Sequence, residues 1–132
     1  MDTLTILGFV FTAIATYIGL QTYKKTFDTS DQKNNLLAVF KATQKLHLEV
    51  QDMIETYIDA NEGAEHLLYP NITFQAYLDR AKFEFEKDLS DKTYDYIKGL
   101  PLNSSNIASM LKLLENQNHA LIQFKSQLMF LL

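Results

Sequence analysis

Residues 36–57, LLAVFKATQKLHLEVQDMIETY, decide the fold because their apolar side chains recur at the three- and four-residue spacing of a helix. Six of these side chains share one broad helical face: Leu36, Phe40, Val50, Met53, Ile54 and Tyr57. Residues Asp28–Asp31 before the run offer capping oxygens, and the turn residues Asn61–Gly63 follow it. The stretch therefore predicts one long amphipathic helix whose apolar face needs partner helices to cover it.

Further helices are predicted downstream from their start signals. Thr73 would cap the first of them, and Ser90 separates it from a short helix. Asn103–Ser105 would start the last, whose apolar stripe is Ile107, Leu111, Leu114, Leu121, Leu128 and Leu132. These patterns predict an all-α domain over residues 28–132: a small antiparallel helical bundle of three long helices and one short helix.

Two short segments bear on the all-helical prediction. AEHLLYP (64–70) joins two predicted helices and is interpreted as a short turn. KFEFEKD (82–88) alternates as a strand would, but it lies inside a helical pattern and is predicted to be helical.

The amino-terminal unit, residues 1–27, contains a stretch without any charged side chain, residues 3–23. As a helix this stretch would be about 31 Å long, which matches a hydrocarbon core of about 30 Å. A signal peptide is the first alternative, since Ala13–Ala15 resembles a cleavage site, but the chain lacks a basic start. A buried helix of a soluble domain is the second, although such helices usually keep a polar edge. The unit is predicted to be a single-pass transmembrane anchor with a juxtamembrane segment.

The flanking charges predict the orientation of this anchor. Lys24 and Lys25 follow the apolar stretch directly, whereas only Asp2 precedes it. The positive-inside tendency then places the amino terminus outside and the helical domain in the cytoplasm, at a bacterial inner membrane. Tyr23, Lys24 and Lys25 are expected at the membrane interface.

Small residues recur through the predicted anchor at spacings of three and four. They are Thr5, Gly8, Thr12, Ala15, Gly19 and Thr22. In a membrane, small side chains let helix backbones approach, and threonine hydroxyls can bond across the contact. This seam predicts association with a second copy, giving a homo-oligomer, or with another membrane helix. The alternative is a stripe without function, because such residues are common in membrane helices.

Composition and motifs exclude several function classes. The chain has a net charge of −4 and no basic stripe, which argues against a nucleic-acid partner. It has no cysteine, so thiolate metal sites and cysteine nucleophiles are excluded. Glu62, Glu65 and His66 cluster near a turn, but the two carboxylates straddle Gly63, so a solvated acidic turn is favoured over a metal site. No catalytic residue, cofactor or metal is predicted, and the protein is interpreted as non-enzymatic.

Polar residues interrupt the apolar faces at corresponding places. His47 and Thr43 lie at the edge of the first face, and Gln117 and Asn118 interrupt the last stripe. If these layers meet, they form a buried polar cluster that fixes the register of the helices.

Two phenylalanines are candidates for contact with a protein partner. On a helix, Phe83 points away from the face that carries Phe74. It would therefore either contact a partner or belong to an additional core face. Phe130 lies in the final LMFLL run, residues 128–132, which would otherwise close the bundle or lie between subunits.

In layout, the chain resembles small bacterial proteins with an amino-terminal anchor and a helical cytoplasmic domain, some of which are membrane effectors in anti-phage and toxin systems. The leading hypothesis is a non-enzymatic membrane protein whose helical domain senses or holds a cytoplasmic protein. Its anchor would lie in the lipid bilayer, self-associate and perturb the bilayer as an effector of a bacterial defence or toxin system. The alternative is a membrane-anchored immunity-type or adaptor protein that binds one protein through its acidic domain. The two differ in stoichiometry, since an effector would be a homo-oligomer and an adaptor a heteromer.

Overall fold

The structure, a computed structural model, describes residues 30–132. The predicted anchor, its small-residue seam from Thr5 to Thr22 and the interface residues Tyr23, Lys24 and Lys25 lie outside the described residues. Within residues 30–132, every helix is either too short or too polar to cross a bilayer.

Four helices and one small hairpin make up the described chain, and the prediction of a mostly helical domain is confirmed. The elements are α1 (Ser30–Asn61), β1 (Leu67–Tyr69), β2 (Ile72–Thr73), α2 (Phe74–Asp88), α3 (Asp91–Gly99) and α4 (Ser104–Leu131). The structure differs in one respect from the predicted three long helices and one short helix: α2 is of intermediate length, with 15 residues against 32 in α1.

Ion pairs and hydrogen bonds fix the directions of the helices around α1. Lys82 of α2 lies 2.6 Å from Glu55, and Asp91 at the start of α3 lies 3.1 Å from Lys41. Lys33 donates to the carbonyl of Leu100, directly after α3, at 2.7 Å, so α2 and α3 both run antiparallel to α1. Lys125 of α4 lies 2.7 Å from Glu49, further along α1 than Thr43, which bonds Asn118 of α4. The last helix therefore runs parallel to the first, and the chain goes up, down and up again.

The apolar core divides into two clusters along α1. The proximal cluster, near the start of α1, contains Leu36, Leu37, Phe40, Leu89, Ile97, Leu102, Ile107, Met110 and Leu114. The distal cluster, near its end, contains Val50, Ile54, Phe74, Tyr77, Leu78, Ala81, Ala120, Leu121, Phe124 and Leu128. Burying each leucine or phenylalanine stabilises the fold by roughly 1.5–3 kcal/mol before conformational entropy is counted. Both clusters use the α1 face that the sequence predicted.

The predicted cap at Thr73 and the predicted start of the last helix at Asn103 are confirmed, and Ser90, predicted as the break between two helices, also acts as a cap. The side chains of Thr73, Ser90 and Asn103 each accept a hydrogen bond from the backbone N–H three residues on. Asn106 also returns a bond to the backbone of Asn103, which completes a capping box. These side chains satisfy amides that would otherwise lack partners, so the helix starts follow directly from the sequence.

A close contact ends α1. Glu62 has a φ of 48°, and the amide of Gly63 donates to the carbonyl of Ile58 at 3.1 Å, as in a Schellman motif. A Cβ atom on Gly63 would lie 2.5 Å from the Cε1 atom of the Tyr57 ring. Glycine is required here by the approach of the ring.

A small hairpin replaces the turn predicted for residues 64–70. Strands β1 and β2 pair antiparallel through a turn in which Pro70 is followed by Asn71, whose φ of 71° suits asparagine. The amide of Phe74 donates to the carbonyl of His66 at 2.9 Å, which ties the hairpin to the start of α2. The all-α prediction is therefore corrected by one two-stranded sheet, while residues 82–88 are helical as predicted.

Candidate functional site

A buried polar layer lies between the two apolar clusters. Its buried members are Thr43, Gln44, His47 and Gln51 of α1, Asp88 of α2 and Gln117 of α4. The amide of Asn118 donates to the hydroxyl of Thr43 at 3.0 Å, and that hydroxyl donates to the carbonyl of Val39 at 2.8 Å. The polar interruptions of α1 and α4 therefore meet, which is the condition under which the sequence predicts a buried polar cluster, and such a cluster favours one register of the two helices.

His47 is held neutral in this layer. It is 3% exposed, its ring lies 5.3 Å from that of Phe85, and the side-chain amide of Gln51 donates to its Nδ1 atom at 2.8 Å. Burial lowers the pKa of His47 to about 4, because the charged ring would lose its hydration. A neutral imidazole closed off from solvent stabilises a register more readily than it takes a proton from a substrate.

Two carboxyl groups one helical turn apart, Glu84 and Asp88, border the layer on α2. Asp88 is 2% exposed, and burial raises its pKa to about 6; Lys87 opposes this shift, and Glu84 adds to it through its charge and a hydrogen bond. One carboxyl oxygen of each is buried and lacks a hydrogen-bond partner within residues 30–132. The pair was not identified from the sequence, because the burial of Asp88 depends on how the helices pack against one another.

Gln117 is fully buried, and neither atom of its amide has a hydrogen-bond partner among the described residues. A buried polar group without a partner costs about 1–3 kcal/mol. The layer therefore lowers stability while it specifies how the helices align.

In the described part of the chain, no group of three His, Asp or Glu side chains is close enough together to hold a metal ion. The Nδ1 atom of His66 lies 2.7 Å from the hydroxyl of Tyr57, and the two rings pack edge to face. His66 therefore helps to hold the loop after α1 against that helix.

The two candidate contact residues, Phe83 and Phe130, occupy different kinds of surface. Phe83 is 66% exposed and lies outside the core. The alternative interpretation, that Phe83 belongs to an additional core face, is therefore wrong. It stands beside charged side chains such as Lys82 and Lys87. A single exposed phenylalanine of this kind is ordinary.

Phe130 belongs instead to a continuous patch. We call Met129–Leu132 the apolar end: all four of its side chains are exposed, and that of Phe130 is 94% exposed. Only Leu128 of the LMFLL run is buried, so the run does not close the bundle as one alternative held. Several exposed apolar side chains grouped together are typical of a contact surface.

A groove adjoins the apolar end. We call it the α1–α4 groove: Leu132 lines one side, and Met53, Thr56, Tyr57 and Ala60 of α1 line the other. Asp52 and Asn61 also line this cavity of about 430 Å³. The sequence did not reveal it, because it forms only where the parallel helices α1 and α4 end together. A second open cavity, of about 380 Å³, lies beside the α2–α3 break and is lined by Gln44, Leu48 and Phe85 among others.

Charge is unevenly distributed along the bundle. We define the distal half as residues 49–82 and 117–132, which carry seven acidic and three basic side chains. The proximal half, residues 30–48 and 83–116, carries seven of each. The groove and the apolar end thus lie in the half that holds the negative charge of the described chain.

Comparison of the whole chain with protein-family models, curated proteins and solved structures finds no match in any of the three.

Proposed function

We propose that this is a non-enzymatic, single-pass membrane protein whose helical domain holds a cytoplasmic protein partner at the apolar end, while its small-residue anchor self-associates. The exposure of Phe130 within four consecutive exposed apolar residues is the observation that carries the proposal. Soluble surfaces rarely leave such a patch without a partner.

The membrane part of the proposal rests on the sequence. Residues 3–23 are free of charge and long enough to span, and Lys24 and Lys25 favour a cytoplasmic domain. Helix α1 has 32 residues and is therefore about 48 Å long, and the apolar end lies beside its final turns. A protein bound there would meet the domain far from the point where the chain enters α1.

The role that suits this layout is an effector of a bacterial defence or toxin system, in which the partner controls a self-associating anchor that perturbs the bilayer. A second candidate is an immunity-type or adaptor protein, and the excess of acidic side chains in the distal half favours it. The effector would be a homo-oligomer in the membrane. The adaptor would form a heteromer of fixed stoichiometry.

Site-specific photo-crosslinking in the native cell tests the proposed contact surface. A photoreactive residue at position 130 should give one discrete crosslinked species, and the same residue at position 83 should give none. Both positions carry an exposed phenylalanine, 66% exposed at position 83 and 94% at position 130, so the native side chains are matched in size. Equal crosslinking from both positions, or none from position 130, would refute the apolar end as the contact surface. The mass of the purified complex then separates the effector from the adaptor.

A further inference from the structure

The α1–α4 groove has the shape and lining of a helix-binding surface. Met53, Tyr57 and Ala60 recur at helical spacing along α1, and Leu132, directly after α4, lines the same groove. An amphipathic helix fills such a groove by inserting apolar residues that recur every three or four positions. The α1 residues that line the groove run from Asp52 to Asn61 and span about 15 Å, which is enough for nearly three turns of a bound helix.

Negative charge surrounds this apolar lining. Asp52 lines the groove itself, while Asp59 and Glu62 are exposed in the last turn of α1 and directly after it. Of the three basic side chains in the distal half, two are already engaged: Lys82 pairs with Glu55, and Lys125 pairs with Glu49. The third, Arg80, is outnumbered by the seven acidic side chains of that half. The potential around the groove is therefore negative, and it would attract a cationic partner.

A second copy of the chain does not provide the required charge. A two-fold contact through this surface would set two acidic distal halves against each other. The basic residues of the proximal half are balanced by an equal number of acids, and Lys41 is paired with Asp91. An anionic lipid surface would be repelled by the same carboxylates.

From these observations we infer that the α1–α4 groove binds a basic amphipathic helix of another protein, with an apolar face against Met53, Ala60 and Leu132 and Lys or Arg side chains against Asp52, Asp59 and Glu62. This inference rests on the proposed function, since it names the chemistry of the partner held at that end of the domain.

Three 18-residue peptides provide the probes. The first arranges leucine and lysine so that a helix has one apolar and one basic face, the second replaces lysine by glutamate, and the third has the composition of the first in scrambled order. Each is titrated by fluorescence anisotropy against the full chain in phosphatidylcholine nanodiscs, with empty discs as the blank. The ordered lysine peptide should bind at least about tenfold more tightly than the other two.

Two variants with matched controls locate the binding. Ala60→Phe fills the groove and should abolish binding, whereas Ala42→Phe places the same side chain at an exposed position on α1 far from the groove and should not. The triple change Asp52→Asn, Asp59→Asn and Glu62→Gln should weaken binding about fivefold to tenfold. The control change of three exposed proximal acids, Glu86→Gln, Asp95→Asn and Glu115→Gln, should alter it less than twofold. Circular dichroism verifies the helix content of each variant.

Equal binding of the lysine and glutamate peptides overturns the inference, as does unchanged binding in both groove variants. A doubled particle mass that Ala60→Phe abolishes also overturns it, because the groove would then hold a second copy. These failures are distinct from failure of the proposed function, which is measured separately by crosslinking from position 130.

Discussion

Burial shifts the pKa values of two side chains in the polar layer in the directions that favour their neutral forms, and the effects of the two shifts on stability oppose each other. The pKa of His47 falls from 6.5 to about 4 on folding, whereas that of Asp88 rises from 3.8 to about 6. Between pH 4 and 6, the unfolded chain therefore carries a proton on the histidine and the folded chain carries one on the aspartate. The number of bound protons is unchanged, so this pair adds almost no pH dependence to the free energy of unfolding.

Replacing either side chain should expose the effect of the other. In Asp88→Asn, the lowered pKa of His47 remains, and the stability that it contributes above pH 6.5 is lost as the pH falls towards 4. In His47→Gln, the raised pKa of Asp88 remains, and the stability present below pH 3.8 is lost as the pH rises towards 6. Each shift exceeds two pKa units, so each loss is on the order of 3 kcal/mol.

Denaturant unfolding of the full chain at pH 4.5, 5.5 and 6.5 measures these slopes. Relative to the unmodified protein, Asp88→Asn should become less stable towards pH 4.5, and His47→Gln should become less stable towards pH 6.5. The comparison with the unmodified chain removes the titration of shared carboxylates such as Glu49 and Asp91, whose pKa values are lowered by their lysine partners. Parallel profiles for all three proteins would refute the opposed titration.

The remaining predictions concern packing and the membrane segment. Gln117→Leu should raise the free energy of unfolding by about 1–2 kcal/mol, because it removes a buried amide without hydrogen-bond partners. The same change at the exposed Gln123 should alter the free energy of unfolding little. Equal effects of the two changes would contradict the cost assigned to the buried amide. Gly63→Ala should lower the free energy of unfolding by about 1–3 kcal/mol, because the added Cβ atom would clash with the Tyr57 ring. Gly99→Ala is the control and should not destabilise the protein, because the space around its Cβ position is open. Replacing Gly8, Ala15 and Gly19 by isoleucine should keep the chain in the membrane but disrupt its oligomer, and an unchanged oligomer in a bilayer association assay would show that the seam has no role. The full chain should remain in the membrane fraction after alkaline carbonate extraction; complete recovery as a soluble protein would refute the anchor.

Features set by local chemistry could be predicted from the sequence. Helix starts such as Thr73 and Asn103 depend on side chains that bond amides three residues away, so their signals are contained in short segments. The contact between Thr43 and Asn118 was also predictable, because each interrupts an apolar stripe that must be buried. Periodicity is sufficient to find such positions.

Features that depend on the mutual placement of helices could not be predicted in the same way. The strands β1 and β2 have three and two residues, too few to show a period of two. The α1–α4 groove requires α1 and α4 to run parallel and end together, which no local pattern records. Exposure of Phe130 likewise follows from where the bundle stops covering the last helix.

The division of the core by a polar layer has a consequence for how the domain opens. Each apolar cluster is a contiguous unit, and the layer between them contributes unsatisfied groups in place of apolar contact. Native-state hydrogen exchange should therefore resolve two groups of amides with separate opening free energies, one for each half. A protein bound at the distal half would slow exchange in the distal amides and leave the proximal ones unchanged. The effect of that protein on the anchor would then depend on how many copies of the chain it brings together, because the polar layer limits what is transmitted along α1 to the first turn of the domain.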